Sequence, residues 1–403
     1  MCAGRTGATE SEGEVVAPTE MIARARALAP VLRERAEEAR ALGRVPRQTM
    51  DDFHAAGLLR LGQPKRFDGF EMGWDVLCEI SEILAAADCS QAWIQRITAD
   101  HAVMVGTFPA EAQEDVWADN HRAIICAGFD PVGRATRVPG GFRFSGRHGF
   151  SSGIDYADWL IAGGYIENGP GGDALDGPHF FLLRRSEATI VEDWDTIGLE
   201  GTGSKSFVTE DVFVPEHRQL DGARARVGKG PGTAINTAPV YRTPRGGVTS
   251  TGFAALTVGA AKGVLAEWLL YTAPRKSRDV AMAGDPGTHM VAARASAEID
   301  AAQALYFGTI SKATRRLEAG DSLSDFDLIT ARRNVSFAAK LALKAGTRLF
   351  NAAGGRALKR GTALERQYNN LLGAASHHAM VWERNALGYG EALLARAGEG
   401  GSP

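Results

Sequence analysis

The sequence predicts an α+β chain, mainly α, in three parts: a helical N-terminal part, a middle antiparallel β-barrel or sandwich and a C-terminal four-helix bundle. Three observations lead there. Segments with helical apolar spacing, the first of them rich in alanine and arginine, fill residues 19–120. From Arg122 to about Val214 the pattern changes to short β-favouring runs punctuated by glycine and serine. From Val248 onward it returns to long helical segments of small residues. The expected boundaries are a disordered 1–18, a helical domain over 19–120, a β domain over 121–225, a linker over 226–245, the bundle over 246–395 and a flexible tail over 396–403.

The elements follow in order. A helix is expected from Thr19 as N-cap, with Ile22, Leu28, Val31 and Leu32 apolar, running to a stop at Gly43. Pro46 opens a short helix that ends at Gly57. Trp74–Ala87 reads as an apolar helix, and a second runs from Cys89 to Val105. His101 lies on the latter, on the face it shares with Ile97 and Ile94. A short acidic helix follows over 110–118. The strands include Ala123–Gly128, Phe142–Phe144, Trp159–Ile161, His179–Leu183, Ala188–Ile190 and Val208–Val214. Residues 169–177 form a glycine-rich tip, and residues 220–245 a basic Gly/Pro linker. Helices over 248–272, 288–318, 325–352 and 364–394 complete the bundle.

Composition narrows the function classes. The chain has 403 residues, 44% hydrophobic and 23% charged, with 45 Lys+Arg against 48 Asp+Glu for a net charge of −3. That balance leaves no electrostatic footprint for nucleic acid or an anionic membrane. No apolar run is expected to reach the roughly 20 residues of a membrane span. Cys2, Cys78, Cys89 and Cys126 form no CxxC pair and no cluster with histidine, so neither a metal site nor a disulfide framework is expected. A soluble protein of the reducing cytoplasm fits. No GxGxxG on a strand–helix unit is visible, so nicotinamide would have to be handled elsewhere.

Three stretches carry the functional signal: Phe150-Ser151-Ser152-Gly153, Gly198-Leu199-Glu200-Gly201-Thr202-Gly203-Ser204, and Leu349-Phe350-Asn351-Ala352-Ala353-Gly354-Gly355. In the first two, small hydroxyl residues beside glycine let a flat ligand approach strand ends closely, although turn chemistry alone also explains them. In this order, between two helical regions, they resemble the acyl-CoA dehydrogenase fold. Within it they resemble the flavin-dependent monooxygenases of two-component systems, such as p-hydroxyphenylacetate hydroxylase and dibenzothiophene monooxygenase. The likeness extends from about Met21 to about Gly390.

The resemblance implies reduced FMN or FAD delivered by a separate reductase, O2 as co-substrate, a C4a-hydroperoxide, an aromatic (phenolic or polycyclic) substrate and a homotetramer. It places Ser152 against the flavin N5. Gly128, Ser151, Thr202, Gly203, Ser204, Gly354 and Gly355 join it at the cofactor, and Arg278 reaches the phosphate of a neighbouring subunit's flavin. For Arg278 a helix-end cap, and for Gly354-Gly355 a helix stop, are the competing readings. Ala92-Trp93, His101 and Phe108-Pro109 match the hydroxylase pattern in which the histidine takes a phenol proton. A core histidine is the alternative. His377 matches a second family histidine, but Asn369-Asn370 stands where relatives carry Arg-Asp. N- or S-oxygenation on the same fold remains open. So does an acyl-CoA dehydrogenase, although Glu365 and Glu383 read as helix-surface residues and not as its base. A non-catalytic scaffold is the remaining class.

Overall fold

The computed structural model describes residues 16–168, 174, 177–277 and 280–398. Helix α1 (Pro18–Glu34) starts one residue before the expected cap: Ala17 is the N-cap and Pro18 occupies the first turn, where a missing N–H costs nothing. The chain breaks at Arg35 and resumes as α2 (Ala36–Leu42), which Gly43 ends in the left-handed conformation at φ 59°. Helices α3 (Arg47–Ala55), α4 (Trp74–Ala87), α5 (Cys89–Val105) and α6 (Ala110–Trp117) complete the N-terminal region. Asp88 caps α5 by accepting the Gln91 N–H at 2.9 Å. Helix α5 is buried along nearly its whole length, so it has no solvent side for periodicity to mark.

The sheet is built from β1 (Ile125–Val138), β2 (Gly141–His148), β3 (Trp159–Glu167), β4 (His179–Arg184), β5 (Thr189–Val191), β6 (Ser206–Pro215) and β7 (Gln219–Asp221), in the order β5-β6-β2-β1-β3-β4-β7. The sheet is antiparallel as expected, with one exception: β1 and β3 pair in parallel. That exception shapes the site. Strand β2 pairs with β1 over Arg134–Val138 and runs on to His148 close to Gly128, while β3 begins opposite Ile125 on the other side. Residues 149–158 must therefore cross the end of β1. Ser151-Ser152-Gly153 sits in this crossover and is zipped to the next segment by Ser151 N–H to Lys205 O (3.0 Å) and Gly153 N–H to Thr202 O (2.9 Å).

Beyond α7 (Gly222–Arg226) comes α8 (Thr251–Thr272), the central helix. It is long and apolar enough to span a membrane by composition, contrary to the expectation that no run would be, yet 67% of its apolar window is buried inside the protein. Its small residues permit close packing: a Cβ on Gly259 would lie 2.5 Å from the Glu82 carbonyl oxygen. Helices α9 (Pro286–Glu318) and α10 (Asp325–Ala353) pack beside it. The expected last helix is divided into α11 (Ala363–Ala375) and α12 (Trp382–Gly398), and the break contains His377. Residues 239–242, read as linker, form a 3-10 turn that buries Tyr241.

Candidate functional site

A cavity of about 220 Å³ opens between α5, the segment before α8, α8 itself and the α11–α12 break. His101, His377, Phe129, Phe253, Asp100 and Arg245 are among the residues that line it. The sequence reading found the two histidines; it missed the other four.

His101 is buried, and its Nδ1 lies 2.8 Å from the Ile125 carbonyl oxygen. A carbonyl only accepts, so Nδ1 carries the proton and Nε2 keeps its lone pair. Burial lowers its pKa to about 4, helped by Arg245 and opposed by the Ile125 hydrogen bond. Phe129 meets the ring edge-on, with centroids 5.3 Å apart.

His377 is assembled the other way round. The Ala379 backbone N–H donates to its Nδ1 at 3.3 Å, which leaves the proton on Nε2. Phe253 stacks on it at 3.8 Å, Trp93 meets its edge at 5.7 Å, and burial lowers its pKa to about 3, with His378 adding to the effect. The cavity is thus provided with one neutral imidazole that accepts and one that donates.

Arg245 spreads over Phe129 with its guanidinium carbon 4.8 Å from the ring centre. Burial lowers its pKa to about 10, which still leaves it charged at neutral pH. Asp100 is raised by burial to about 6, although Arg96 and Arg245 both oppose the shift; Arg96 Nε lies 3.0 Å from its carboxylate. Buried Arg96 and half-buried Arg245 against one carboxylate leave this end of the cavity positive.

Ser152 does not line the cavity. It stands behind Trp93, whose Nε1 donates to its Oγ at 3.2 Å. Ser152 Oγ lies 2.7 Å from Ser204 Oγ, which lies 2.6 Å from Thr202 Oγ1. Trp93 therefore joins the hydroxyl cluster to the His377–Phe253 stack. The Ser151 hydroxyl is fully buried without a hydrogen-bond partner, and Phe150 beside it is 74% exposed at φ 56°. An orphaned hydroxyl, a spare lone pair on Ser152 and an exposed aromatic ring on one crossover fit a flat polar heterocycle such as a flavin ring.

The remaining sequence candidates are placed differently. Gly128 is explained by packing, since a Cβ there would lie 2.4 Å from the His148 Cβ. Gly203 has φ 54° and packs on Asp155 and Gly43. Gly354 and Gly355 are exposed at the end of α10, away from the cavity lining. Arg278 lies outside the described residues. Asn370 proves structural: its Oδ1 accepts the Leu199 N–H at 2.8 Å and holds that residue at φ 56°. Glu365, expected at a helix surface, is buried and ion-paired to Arg40 at 2.7 Å, so it cannot serve as a dehydrogenase base in the cavity. Among the described residues no cluster that could hold a metal ion occurs.

Comparison with known proteins places this geometry. The chain matches the acyl-CoA dehydrogenase N-terminal domain over residues 19–120 and the acyl-CoA dehydrogenase C-terminal domain over 251–382. It is 34% identical to the flavin-dependent monooxygenase oxygenase subunit HsaA of Rhodococcus jostii, over 90% of this chain and 95% of that protein. It is 29% identical to the oxygenase component of the FADH2-dependent resorcinol hydroxylase of Rhizobium sp., over 93% of this chain and 94% of the relative. The crystal structure of 3-HSA hydroxylase from Rhodococcus sp. RHA1 superposes with a TM-score of 0.88 at 32% identity, covering 95% of this chain and 97% of that one. The chain belongs to the flavin-dependent monooxygenase oxygenase subunits built on the acyl-CoA dehydrogenase fold.

Proposed function

We propose that this enzyme hydroxylates a phenolic aromatic compound, with reduced flavin supplied by a separate reductase. The observation that carries the reading is the bare Nε2 of His101 in an aromatic-lined cavity shared with Arg245. Bound reduced flavin supplies two electrons and, with O2, the oxygen atom that enters the ring. The chain's own residues orient and activate the phenol.

His101 is a weaker base than a free imidazole. A phenol near 10 and His101 near 4 leave a gap of about six pKa units, roughly 8 kcal/mol against complete proton transfer. An ion pair at ~4 Å and an effective dielectric of about 20 returns about 4 kcal/mol. A phenolate beside both protonated His101 and Arg245 would gain from both charges, which narrows the gap. Arg245 therefore shares the work by holding the negative charge. His377 offers an N–H donor from the Trp93 side, suited to an oxygen atom on the face nearest the cofactor. Ser151 and Ser152 would hold the flavin ring, with Ser152 accepting from N5–H. Thr202 and Ser204 support them from behind, Arg278 would reach the phosphate of a neighbouring subunit's flavin, and Gly354-Gly355 would let the backbone pass close to the cofactor.

Exposed Leu269, Leu270, Met290, Phe337 and Leu387 on the bundle helices support the expected homotetramer. The buried free thiols of Cys78, Cys89 and Cys126 are in keeping with a reducing cytoplasm. The test is turnover with a flavin reductase, FMN or FAD, 18O2 and matched sets of phenols, thioethers and amines. One labelled oxygen in a phenol ring is the expected product. Sulfoxide or N-oxide from the other sets, with phenols untouched, would replace this reading by S- or N-oxygenation.

A further inference from the structure

The hydroxyl cluster behind Ser152 has a fixed proton direction. Thr202 Oγ1 lies 2.8 Å from the Leu199 carbonyl oxygen, which can only accept, so the Thr202 proton points there. The 2.6 Å contact between Thr202 and Ser204 must then use the Ser204 proton. The 2.7 Å contact between Ser204 and Ser152 must in turn use the Ser152 proton. Trp93 already donates to Ser152 from its other side. Ser152 thus has its one proton committed inward and one lone pair left to offer. The origin of the chain is held firmly: Asn370 Oδ1 fixes the Leu199 backbone, and the Leu199 carbonyl also takes the Trp194 indole N–H at 3.2 Å.

A flavin changes character at N5 with its redox state: N5–H donates in the reduced form, and bare N5 accepts in the oxidised form. We propose that the Thr202–Ser204–Ser152 chain is the element by which this enzyme distinguishes reduced from oxidised flavin, by holding Ser152 as an acceptor only. The inference rests on Ser152 facing N5. Reduced flavin gains a hydrogen bond there; oxidised flavin meets lone pair against lone pair and is released to the reductase. Thr202 and Ser204 are positioning residues, because they act through Ser152.

The test is anaerobic titration of reduced FMN and aerobic titration of oxidised FMN into folded wild type and four variants, with thermal melts as a control. Ser204→Ala frees the Ser152 proton. Thr202→Val frees it too, because the Ser204 proton must then turn toward Ser152, while Leu199 O keeps its other donors. Both variants are expected to bind oxidised FMN about two- to tenfold more tightly than wild type, the range of one neutral hydrogen bond. Structural damage would weaken both forms and cannot yield this gain. Trp93→Phe removes a donor and leaves the Ser152 proton committed, so it should produce no gain. Oxidised affinity unchanged or weakened in both Ser204→Ala and Thr202→Val, or an equal gain in Trp93→Phe, overturns the proposal. Ser152→Ala separates the two readings: if it leaves both affinities at the wild-type value, the placement of Ser152 at N5 falls as well.

Discussion

The cavity around His101 and the crossover around Ser152 lie on opposite sides of Trp93, and they control protons by different physics. The cavity works through charge and burial. Its histidines are held neutral by desolvation, at about 4 for His101 and about 3 for His377, and its positive end comes from Arg96 and Arg245 against Asp100. The crossover contains no charge in its hydroxyl chain and works through direction alone, each proton committed by the acceptor next in line. On the proposed roles, acidity is set where a proton moves, at His101, and polarity where it stays, at Ser152.

The largest expected effect lies on the charged side. His101→Ala should slow oxygen transfer to a phenol by about 10²–10⁴-fold, the usual contribution of a general base, while flavin oxidation keeps its rate. Stopped-flow traces that resolve the two phases across pH read this directly, and raising the pH toward the phenol pKa should restore part of the loss. Normal transfer would remove the base from the cavity's account.

Arg245→Met keeps the aliphatic stem and deletes the charge. Turnover of phenols should fall by about 10–100-fold, the loss of a partly buried charge-assisted contact worth roughly 1.5–3 kcal/mol. Here too alkaline pH should help. Equal kcat/KM for wild type and variant would separate Arg245 from the substrate anion.

Acid stability sharpens the same contrast. His377 has its folded pKa below the unfolded value near 6.5, so the unfolded chain binds the extra proton and stability rises with pH from about 3 to 6.5. Asp100, raised to about 6, has the opposite sign over its lower window. Comparing His377→Gln with wild type cancels that contribution. The variant should lose about 2 kcal/mol less between pH 7 and pH 5, measured by denaturant unfolding at both values. Parallel curves would mean that His377 takes up its proton in the folded enzyme as readily as in the unfolded chain.

The smallest effect is expected at the crossover. Ser152→Ala should leave the fold intact and weaken reduced-flavin binding by about two- to tenfold. More of the reducing equivalents should appear as hydrogen peroxide, measured against product formed. Unchanged affinity together with unchanged coupling would place the cofactor elsewhere.

Much of this was legible in the sequence. Helices α4 and α5 were legible from their runs of helix-forming and apolar residues, and their bounds agree with the structure. His101 was found on its face because a helix repeats its register locally. The helix–sheet–helix order followed from periodicity, and the resemblance to the family rested on two glycine-and-hydroxyl stretches and on the Leu349–Gly355 segment, whose chemistry is local. Tertiary structure decided the rest. Arg245 read as one more basic residue in a linker, and only its packing over Phe129 and Phe180 at the cavity makes it part of a site. The parallel β1–β3 pair, which sends Ser152 across a strand end toward Trp93, depends on strand order, and no local pattern encodes that. Asn370 stands 171 positions from the backbone N–H it fixes, and Glu365 stands 325 positions from the arginine that binds it. Spacing along the chain determines which residues share a face of one element. Which faces meet, and so which groups lose their water and shift their protons, is settled only when the elements pack.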